Sequence, residues 1–258
     1  MIERKTPIFT KGRILKNEML TLMRDLPQQF IDITYQSYSD GIITGFHMTT
    51  DEGEITIHPG MLKYAGELFI LNTPKHIKYE KNAREQFLKI NFEKPYENED
   101  FKGQSAHIIL ETSEPSTNQL LLARFHLSSG AYLRLDYETL EDFKTGHNTL
   151  NIVEQPNSSI SGTTLSPIIL EYFVKKLMGY KTQNTHDLGI IYHVLSTDIP
   201  VSFDNLEFYI KMRLNNAGLV FERNEQLHKS LNDVLDLARR EQRQNNPRKN
   251  STHKLIVD

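Results

Sequence analysis

Residues 40–71 are divided into short segments by residues that favour tight turns. The breaks fall at Gly41, Gly45, Gly53, the Pro59-Gly60 pair and Gly66. Between them, Ile55 and Ile57 share one face of an alternating pattern, which is typical of a strand with one buried side. Glycine adopts tight reversals that residues with a Cβ resist. The segment therefore predicts a small, tightly turned β-unit with little room for a catalytic cleft.

Composition limits the classes to which this chain can belong. Its 258 residues suffice for one large domain or two small ones, and its hydrophobic fraction of 38% is low for a single compact core. Such a chain is more often elongated or divided, with apolar surface kept for neighbours. A net charge of −3 argues against a nucleic-acid partner. The absence of cysteine excludes a disulfide framework and a thiolate metal site.

No targeting or membrane segment is expected. The N-terminal residues contain no apolar stretch of the kind found in a secretory signal. No run approaches the roughly 18 apolar residues that a membrane-spanning helix needs. We therefore expect no direct membrane insertion.

Near the N-terminus, residues 14–26 have the periodicity of an amphipathic helix. One face carries Leu15, Met19, Leu22, Met23 and Leu26. Pro27 is predicted to end or kink this helix, because proline lacks an amide donor and restrains the residue before it. The apolar face continues to Phe30 and Ile33, which suggests a further short turn.

From about residue 41 to 137 the pattern is β. Alternation recurs at 88–92 and 106–110, separated by an acidic, turn-rich loop at 94–104. A further hairpin is predicted with Gly130 in its loop. Its two strands carry Leu121, Ala123, Phe125 and Leu127, then Ala131, Leu133 and Leu135.

Four amphipathic helices are predicted after a linker rich in Thr, Asn, Ser, Gly and Pro. Ser166, Thr185 and Ser202 are the candidate N-caps of the first three. Pro167 suits the first position of the first helix, and Gly179 its end. The predicted inner face of the second helix carries Leu188, Ile191, Tyr192 and Leu195.

The fourth helix has a stripe spaced like a heptad seam. Its members are Leu227, Leu231, Val234 and Ala238. Two interpretations remain open: the stripe packs inside an intrachain bundle, or it forms an interface with another copy or a partner. The two can coexist. The basic residues from Arg239 onward favour a solvated or protein-binding tail over a nucleic-acid contact, because the net charge is negative.

These patterns predict a segregated α+β chain with an N-terminal helix, a sandwich-like β-rich domain and a C-terminal helical bundle. The β-rich and helical parts are expected to hold separate cores. The predicted bounds are 1–35 for the N-terminal segment, 36–145 for the β-rich domain, 146–164 for a linker, 165–243 for the bundle and 244–258 for a polar tail.

The chemical motifs are weak, and no catalytic, cofactor-binding or metal-ligating residue is assigned. His47 and His58 are predicted to be solvated strand residues, although they could meet across a hairpin. The acidic residues 97–100 lack the spacing of a calcium loop. Residues 158–162 lack the glycine that precedes the serine of a nucleophile elbow, so we interpret them as linker. We expect a protein that is not an enzyme and uses no cofactor.

Two β phrases, at 41–71 and 120–137, resemble modules of phage-tail and contractile-injection baseplate proteins. The opening of the chain, from FTKGRILKNEML at 9–20 through YSDGII at 38–43, resembles the start of proteins from Gram-positive prophages and phage-tail-like particles. The order of a β-rich shell and a helical bundle is also similar to the baseplate–membrane connector of type VI secretion, a trimer. These phrases are structural, and the resemblance transfers no catalytic residue.

The resemblance implies a structural subunit of a phage tail or contractile-injection baseplate. Such a subunit is made in the bacterial cytoplasm, forms a homo-oligomer, here expected to be a homotrimer, and binds other tail or baseplate proteins. The alternative is a receptor- or carbohydrate-binding module. In that case Tyr96 and Phe101 would stack on sugar rings, although the chain lacks tryptophan.

Overall fold

The computed structural model describes residues 5–197 and 200–245. It divides into two compact units, Met1–Tyr38 and a second that begins at Ser39. The predicted class is confirmed: an N-terminal helix is followed by a β-rich region and then by helices. The sandwich-like packing of the sheets stays a prediction. Predictions for residues from 246 onward, including most of the polar tail, lie outside the described residues.

The first unit contains one long helix, α1, at Asn17–Tyr35. The prediction that Pro27 ends this helix is wrong, because Pro27 lies inside a continuous helical segment. A proline removes one amide donor from the backbone ladder. The ladder resumes on both sides of that gap, so one apolar stripe runs from Met19 to Ile33.

In the second unit, a five-stranded sheet joins the two ends of the β-rich region. Its strand order is β13-β12-β1-β4-β5. The strands are β1 Gly41–Gly45, β4 Gly60–Tyr64, β5 Glu67–Leu71, β12 Asn157–Ser159 and β13 Gly162–Thr164. All neighbouring pairs are antiparallel except β1 and β12, which pair in parallel through Ile42 and Asn157.

Three smaller sheets complete the β-rich region. Their orders are β2-β3-β6, β10-β7-β11 and the two-stranded β8-β9. The strands are β2 Met48–Asp51, β3 Glu54–Ile57, β6 Lys75–Lys78, β7 Glu85–Phe92, β8 Tyr96–Glu97, β9 Lys102–Gly103, β10 Ala106–Glu111 and β11 Gln119–His126. The predicted alternation in β3 is confirmed, since Ile55 and Ile57 are fully buried.

The predicted tight turns depend on two close backbone approaches. Gly45 has a φ of +72°, and a Cβ there would lie 2.2 Å from the carbonyl oxygen of Pro59. A Cβ at Gly60 would lie 2.5 Å from the Phe46 ring. Real Cβ atoms do not approach other atoms so closely. Only glycine therefore lets β1 and β4 pair in this register.

The predicted hairpin at 121–135 is wrong. Its first strand forms as β11 but pairs with β7, with a register shift between Leu121 and Ala123. Residues 131–137 form no strand, and Arg134 makes only an isolated bridge to Thr149. Leu133 is buried all the same. The return segment therefore packs by its side chains against the core instead of completing a ladder.

Residues 146–164 were predicted to be a linker and instead form part of the core. They contain β12 and β13, and Leu150, Ile152 and Val153 are almost fully buried. Their polar composition misleads because most of the buried polar side chains form hydrogen bonds within the protein, the Thr164 hydroxyl being an exception. The Asn151 side chain, for example, donates to the Lys144 carbonyl oxygen at 2.9 Å.

Five helices follow β11. They are α2 Asp142–Thr145, α3 Pro167–Gly179, α4 Thr185–Ser196, α5 Phe203–Arg213 and α6 Asn224–Asn245. The start of α3 is confirmed, with Ser166 at the N-cap and proline at its first position. The cap of α5 is also confirmed, since the Ser202 side chain accepts a hydrogen bond from the Asn205 amide. The predicted cap of α4 is wrong, because Asn184 caps it in place of Thr185.

One hydrophobic core serves both the sheets and the helices. The buried cluster extends without division from Ile42 in β1 to Ala238 in α6. The prediction of separate β-rich and helical cores is therefore wrong. The physical reason lies in residues 146–164, whose apolar side chains join the two parts. The bounds of any smaller domains within this unit stay predictions.

A charge at Leu231 tests the shared core. Leu231 is fully buried, whereas Asp233 in the same helix is exposed. We expect Leu231→Asp to lower the free energy of unfolding by at least about 3 kcal/mol, because a buried carboxylate would lack a partner. Circular dichroism during urea unfolding should show the β and helical signals lost together.

The control is Asp233→Lys, which should change the free energy of unfolding by no more than about 0.5 kcal/mol. A β signal that survives in Leu231→Asp after the helical signal is lost would restore the two-core prediction.

Candidate assembly surfaces

The four residues of the predicted α6 seam lie together in the interior of the chain itself. Leu227, Leu231 and Val234 have no exposed surface, and Ala238 is 3% exposed. They belong to the shared core, and α6 packs on α3 and α5. Intrachain packing therefore accounts for the stripe. Its role in an interface with a second chain stays a prediction.

Helix α4 presents a different face to the core from the one predicted. Its buried residues are Asp187, Ile190, Ile191 and Val194. Of the predicted inner face, Ile191 is buried, whereas Leu188, Tyr192 and Leu195 are exposed. The prediction rested only on the spacing of apolar residues, whereas the observed rotation of α4 places the Asp187 carboxylate on the buried face. The outer face is left with Tyr192 74% exposed and Leu195 53% exposed.

Asp187 is the centre of a buried hydrogen-bond cluster. Its side chain has no exposed surface and receives three donors. The Thr182 hydroxyl donates to Oδ2 at 2.6 Å, and the Tyr209 hydroxyl donates to Oδ1 at 2.8 Å. The Arg213 Nε donates to Oδ1 at 2.9 Å. Asp187 lies in the first turn of α4, where a carboxylate complements the helix dipole, but these contacts explain why it is buried.

Arg213 extends the cluster to α6. Its Nη1 and Nη2 donate to the two carboxylate oxygens of Glu241 at 3.1 and 2.5 Å. The guanidinium side chain is 3% exposed and Glu241 is 40% exposed, so the pair lies at the edge of the core. The cluster therefore ties α4, α5 and α6 with charge-assisted hydrogen bonds.

The pKa values of this cluster favour the hydrogen bonds. Burial, reinforced by Asp187, raises the pKa of Tyr209, so its hydroxyl stays protonated and continues to donate. Burial acts to lower the pKa of Arg213, but hydrogen bonds to Glu241 and Asp187 outweigh it and raise that pKa overall. Tyr209 and Arg213 therefore keep the protons that they donate to this cluster.

His228 is a buried neutral group in α6. Its side chain is fully buried, and its Nε2 lies 2.8 Å from the Leu140 carbonyl oxygen. That carbonyl oxygen can only accept, so Nε2 carries the hydrogen. Desolvation lowers the pKa of His228. The ring therefore joins α6 to the segment before α2 as a neutral imidazole.

The histidine pair and the serine segment both make contacts within the chain. His47 and His58 do meet, with ring centroids 4.1 Å apart and nearly parallel. Burial, followed by the charge of His58, lowers the pKa of His47. Within residues 5–197 and 200–245, no group of three or more His, Cys, Asp or Glu could hold a metal ion. Ser158 and Ser159 lie in β12 and donate to backbone oxygens.

The acidic loop forms the short β8-β9 hairpin. The Asn98 side-chain oxygen accepts from the amides of Asp100 and Phe101, which fixes a tight turn. Tyr96 is 49% exposed and Phe101 68% exposed. The Tyr96 ring lies against Gly103. The hairpin therefore presents two aromatic side chains to solvent.

Helix α1 has no buried residue. Met23, Leu26 and Phe30 are all more than half exposed. A cleft of about 830 Å³ lies within the same unit and is lined by Lys5, Thr6, Pro7, Ile8, Gly12, Arg13, Ile14, Lys16, Glu18, Met19 and Leu22. Its lining combines apolar side chains with three cations and one carboxylate, that of Glu18.

Among the described residues, no helix is both long enough and apolar enough to span a bilayer.

The chain is similar to solved structures of type VI secretion baseplate proteins. One is a crystal structure of TssK, which is 11% identical with a TM-score of 0.44, over 93% of this chain and 72% of that one. A chain of the TssK-TssF-TssG baseplate subcomplex, determined by cryo-electron microscopy, is 8% identical with a TM-score of 0.38, over 91% and 100%. A chain of the type VI secretion baseplate complex is 8% identical with a TM-score of 0.34, over 91% and 100%.

The sequence matches no protein-family model and no curated protein. TM-scores of 0.34 to 0.44 are too low for these similarities to assign a function to the chain.

Removing the Asp187 carboxylate should cost more stability than removing an exposed one. In Asp187→Ala, the buried Arg213 guanidinium loses one partner, and we expect the free energy of unfolding to fall by about 3–5 kcal/mol. Urea unfolding followed by circular dichroism gives this value. The matched control is Asp236→Ala on the exposed side of α6, which should stay within about 0.5 kcal/mol. Equal losses would mean that the cluster does not hold the helices.

His228 should make the protein less stable in mild acid. Its unfolded-state pKa is about 6.5 and its folded-state pKa is lower. As the pH falls below about 6.5, His228 binds a proton in the unfolded chain but stays neutral in the folded chain. The free energy of unfolding therefore falls until the pH passes the folded-state pKa of His228. His228→Gln should therefore show a smaller loss of stability than the wild type between pH 7 and pH 5 in urea titrations. Parallel pH profiles would contradict this assignment.

Proposed function

We propose that this chain is a non-enzymatic structural subunit of a phage tail or contractile-injection baseplate. The observation that carries the proposal is the distribution of apolar surface. Helix α1 leaves most of its stripe exposed, from Met23 to Ile33, and α4 leaves Tyr192 and Leu195 exposed. Apolar helix surface of this extent is typical of protein that is completed by neighbouring subunits.

The rest of the second unit supports a structural role. Its buried polar groups, such as Asp187 and Arg213, hold elements together. The serines of β12 are engaged with backbone oxygens. The β phrases at 41–71 and 120–137 resemble baseplate modules, and their glycines serve backbone packing. A subunit of this kind needs rigid shape and contact surface more than a reactive cleft.

The proposal includes assembly and location. The chain is made in the bacterial cytoplasm, associates with itself and with other baseplate or tail proteins, and becomes part of the particle. The number of copies proposed is three, which the resemblance to the type VI connector implies. Contacts with nucleic acid are not proposed, because the net charge is −3.

Co-expression with the products of neighbouring reading frames tests the function. We expect the purified chain to be an oligomer in light scattering and to co-purify with at least one sheath, tube or other tail protein. Tyr192→Asp, on the exposed face of α4, should reduce this co-purification without loss of the folded circular dichroism spectrum. A folded monomer that binds none of these proteins would overturn the proposal.

A second function is favoured by the exposed aromatic pair of the β8-β9 hairpin. Tyr96 and Phe101 could bind sugar rings of a cell-wall receptor. A glycan array with the wild type and Tyr96→Ala tests this. The control is Tyr132→Ala, because Tyr132 is 50% exposed but already lies beneath the Lys81 ammonium group. Saturable binding that only Tyr96→Ala abolishes would place receptor binding above the structural role.

A further inference from the structure

Six apolar residues of α1 form a single continuous stripe, whereas Leu20 and Ile31 lie outside it. With about 100° between successive residues of a helix, the six fall within an arc roughly 100° wide. The stripe consists of Met19, Leu22, Met23, Leu26, Phe30 and Ile33. Its length is about 21 Å at 1.5 Å per residue. Every charged residue of the helix lies outside this arc.

The stripe is uncovered where it is most apolar. Leu26 is 54% exposed, Phe30 71% and Ile33 66%. An isolated helix of 19 residues is marginal in water, since most helices in proteins are stabilised by packing of an apolar face. A face of this kind would be stabilised by a partner surface packed against it.

The charges of the first unit are separated along the chain. Residues 5–16 carry four cations and no acid, whereas α1 carries three acids and one cation. The last turn of α1 contains no basic residue to complement the partial negative charge of the helix C-terminus. The basic segment and the acidic helix end are therefore complementary between two copies, provided that the copies run in opposite directions.

We propose that α1 pairs antiparallel with α1 of a second copy. The two-fold axis lies between Arg24 and Asp25, which sets Met19 of one copy level with Phe30 of the other and Met23 level with Leu26. The cleft that contains Met19 and Leu22 then receives the second copy's Phe30. Arg13 and Lys16, which line that cleft, then lie near Asp32 and the C-terminal turn of the second helix. A parallel pair would bring like charges together.

A lipid surface fits the helix less well. The polar face of α1 carries Glu18, Asp25 and Asp32 against Arg24, and anionic lipids would repel it. The contact area of two such helices is at the low end for stable interfaces, so the pairing should depend on protein concentration.

The pairing rests on the proposed self-association and specifies one contact within it. An experiment can disprove this contact while self-association remains correct. The two-fold contact joins two of the proposed trimers, so light scattering of the full chain should give six 30.0 kDa copies. Leu26→Asp should halve this mass, because it places a charge at the centre of the stripe. Thr21→Asp adds the same charge on the opposite face and should leave the mass unchanged. An odd number of copies, or a mass that Leu26→Asp leaves unchanged, overturns the pairing and leaves self-association intact.

Cross-linking tests the direction of the helices. The chain contains no cysteine, so single-cysteine variants report only the introduced pair. Met19→Cys and Phe30→Cys chains, one with a tag that changes its size, are mixed and oxidised. The antiparallel pair predicts a disulfide between the two different variants at several times the yield of either homodimer. Predominant homodimers would indicate parallel helices and overturn the proposal, as would the absence of any cross-link.

Discussion

The buried carboxylate of Asp187 imposes the arrangement of the C-terminal helices. A charge with no exposed surface has to be balanced by donors that are themselves held in place. Arg213 in α5 and Tyr209 one turn before it supply two of these donors, and Arg213 in turn requires Glu241 in α6. The rotation of α4 about its axis, the position of α5 along its axis and the position of α6 therefore depend on one another. This chain of requirements leaves Tyr192 and Leu195 on the outer surface.

The helices are in turn fixed to the sheets by residues 146–164. β12 adds to β1 in parallel, while Ile152 and Val153 join the cluster that extends into α3 and α6. The second unit is thus stabilised by contacts between parts of the chain that are far apart in sequence. The first unit has no comparable core, since α1 buries none of its residues. One unit provides a rigid body and the other an uncovered helix face.

Local chemistry accounts for what the sequence predicted well. The start of α3, the cap of α5, the alternation in β3 and the stripes of α1 and α6 all follow from neighbouring residues. Predictions from local sequence patterns are wrong where residues far away in the sequence determine the burial or the cap of an element. Asp187 turns α4 because its donors come from elsewhere, and Thr185 loses the cap to Asn184, whose side chain reaches two amides.

Lys89 illustrates the same limit within a strand. It lies on the polar side of an alternating pattern, yet it is 1% exposed because its ammonium group binds Glu111 and the Ser113 carbonyl oxygen. Burial of this kind depends on the path of a turn more than twenty residues away. The stripe of α1 was predictable, but the continuation of the helix through Pro27 and the exposure of the stripe were not.

The parallel pairing of β1 with β12 has a consequence for the order in which the protein is made. β1 lies inside the five-stranded sheet, and its second neighbour is more than a hundred residues further along the chain. While the ribosome has delivered only the β-rich region, the edge of β1 that β12 will occupy stays open and its backbone groups remain unpaired. Contacts of such long sequence separation are slow to form. The nascent chain therefore has an exposed strand edge for most of its synthesis, and folding closes it only after residue 157 has emerged.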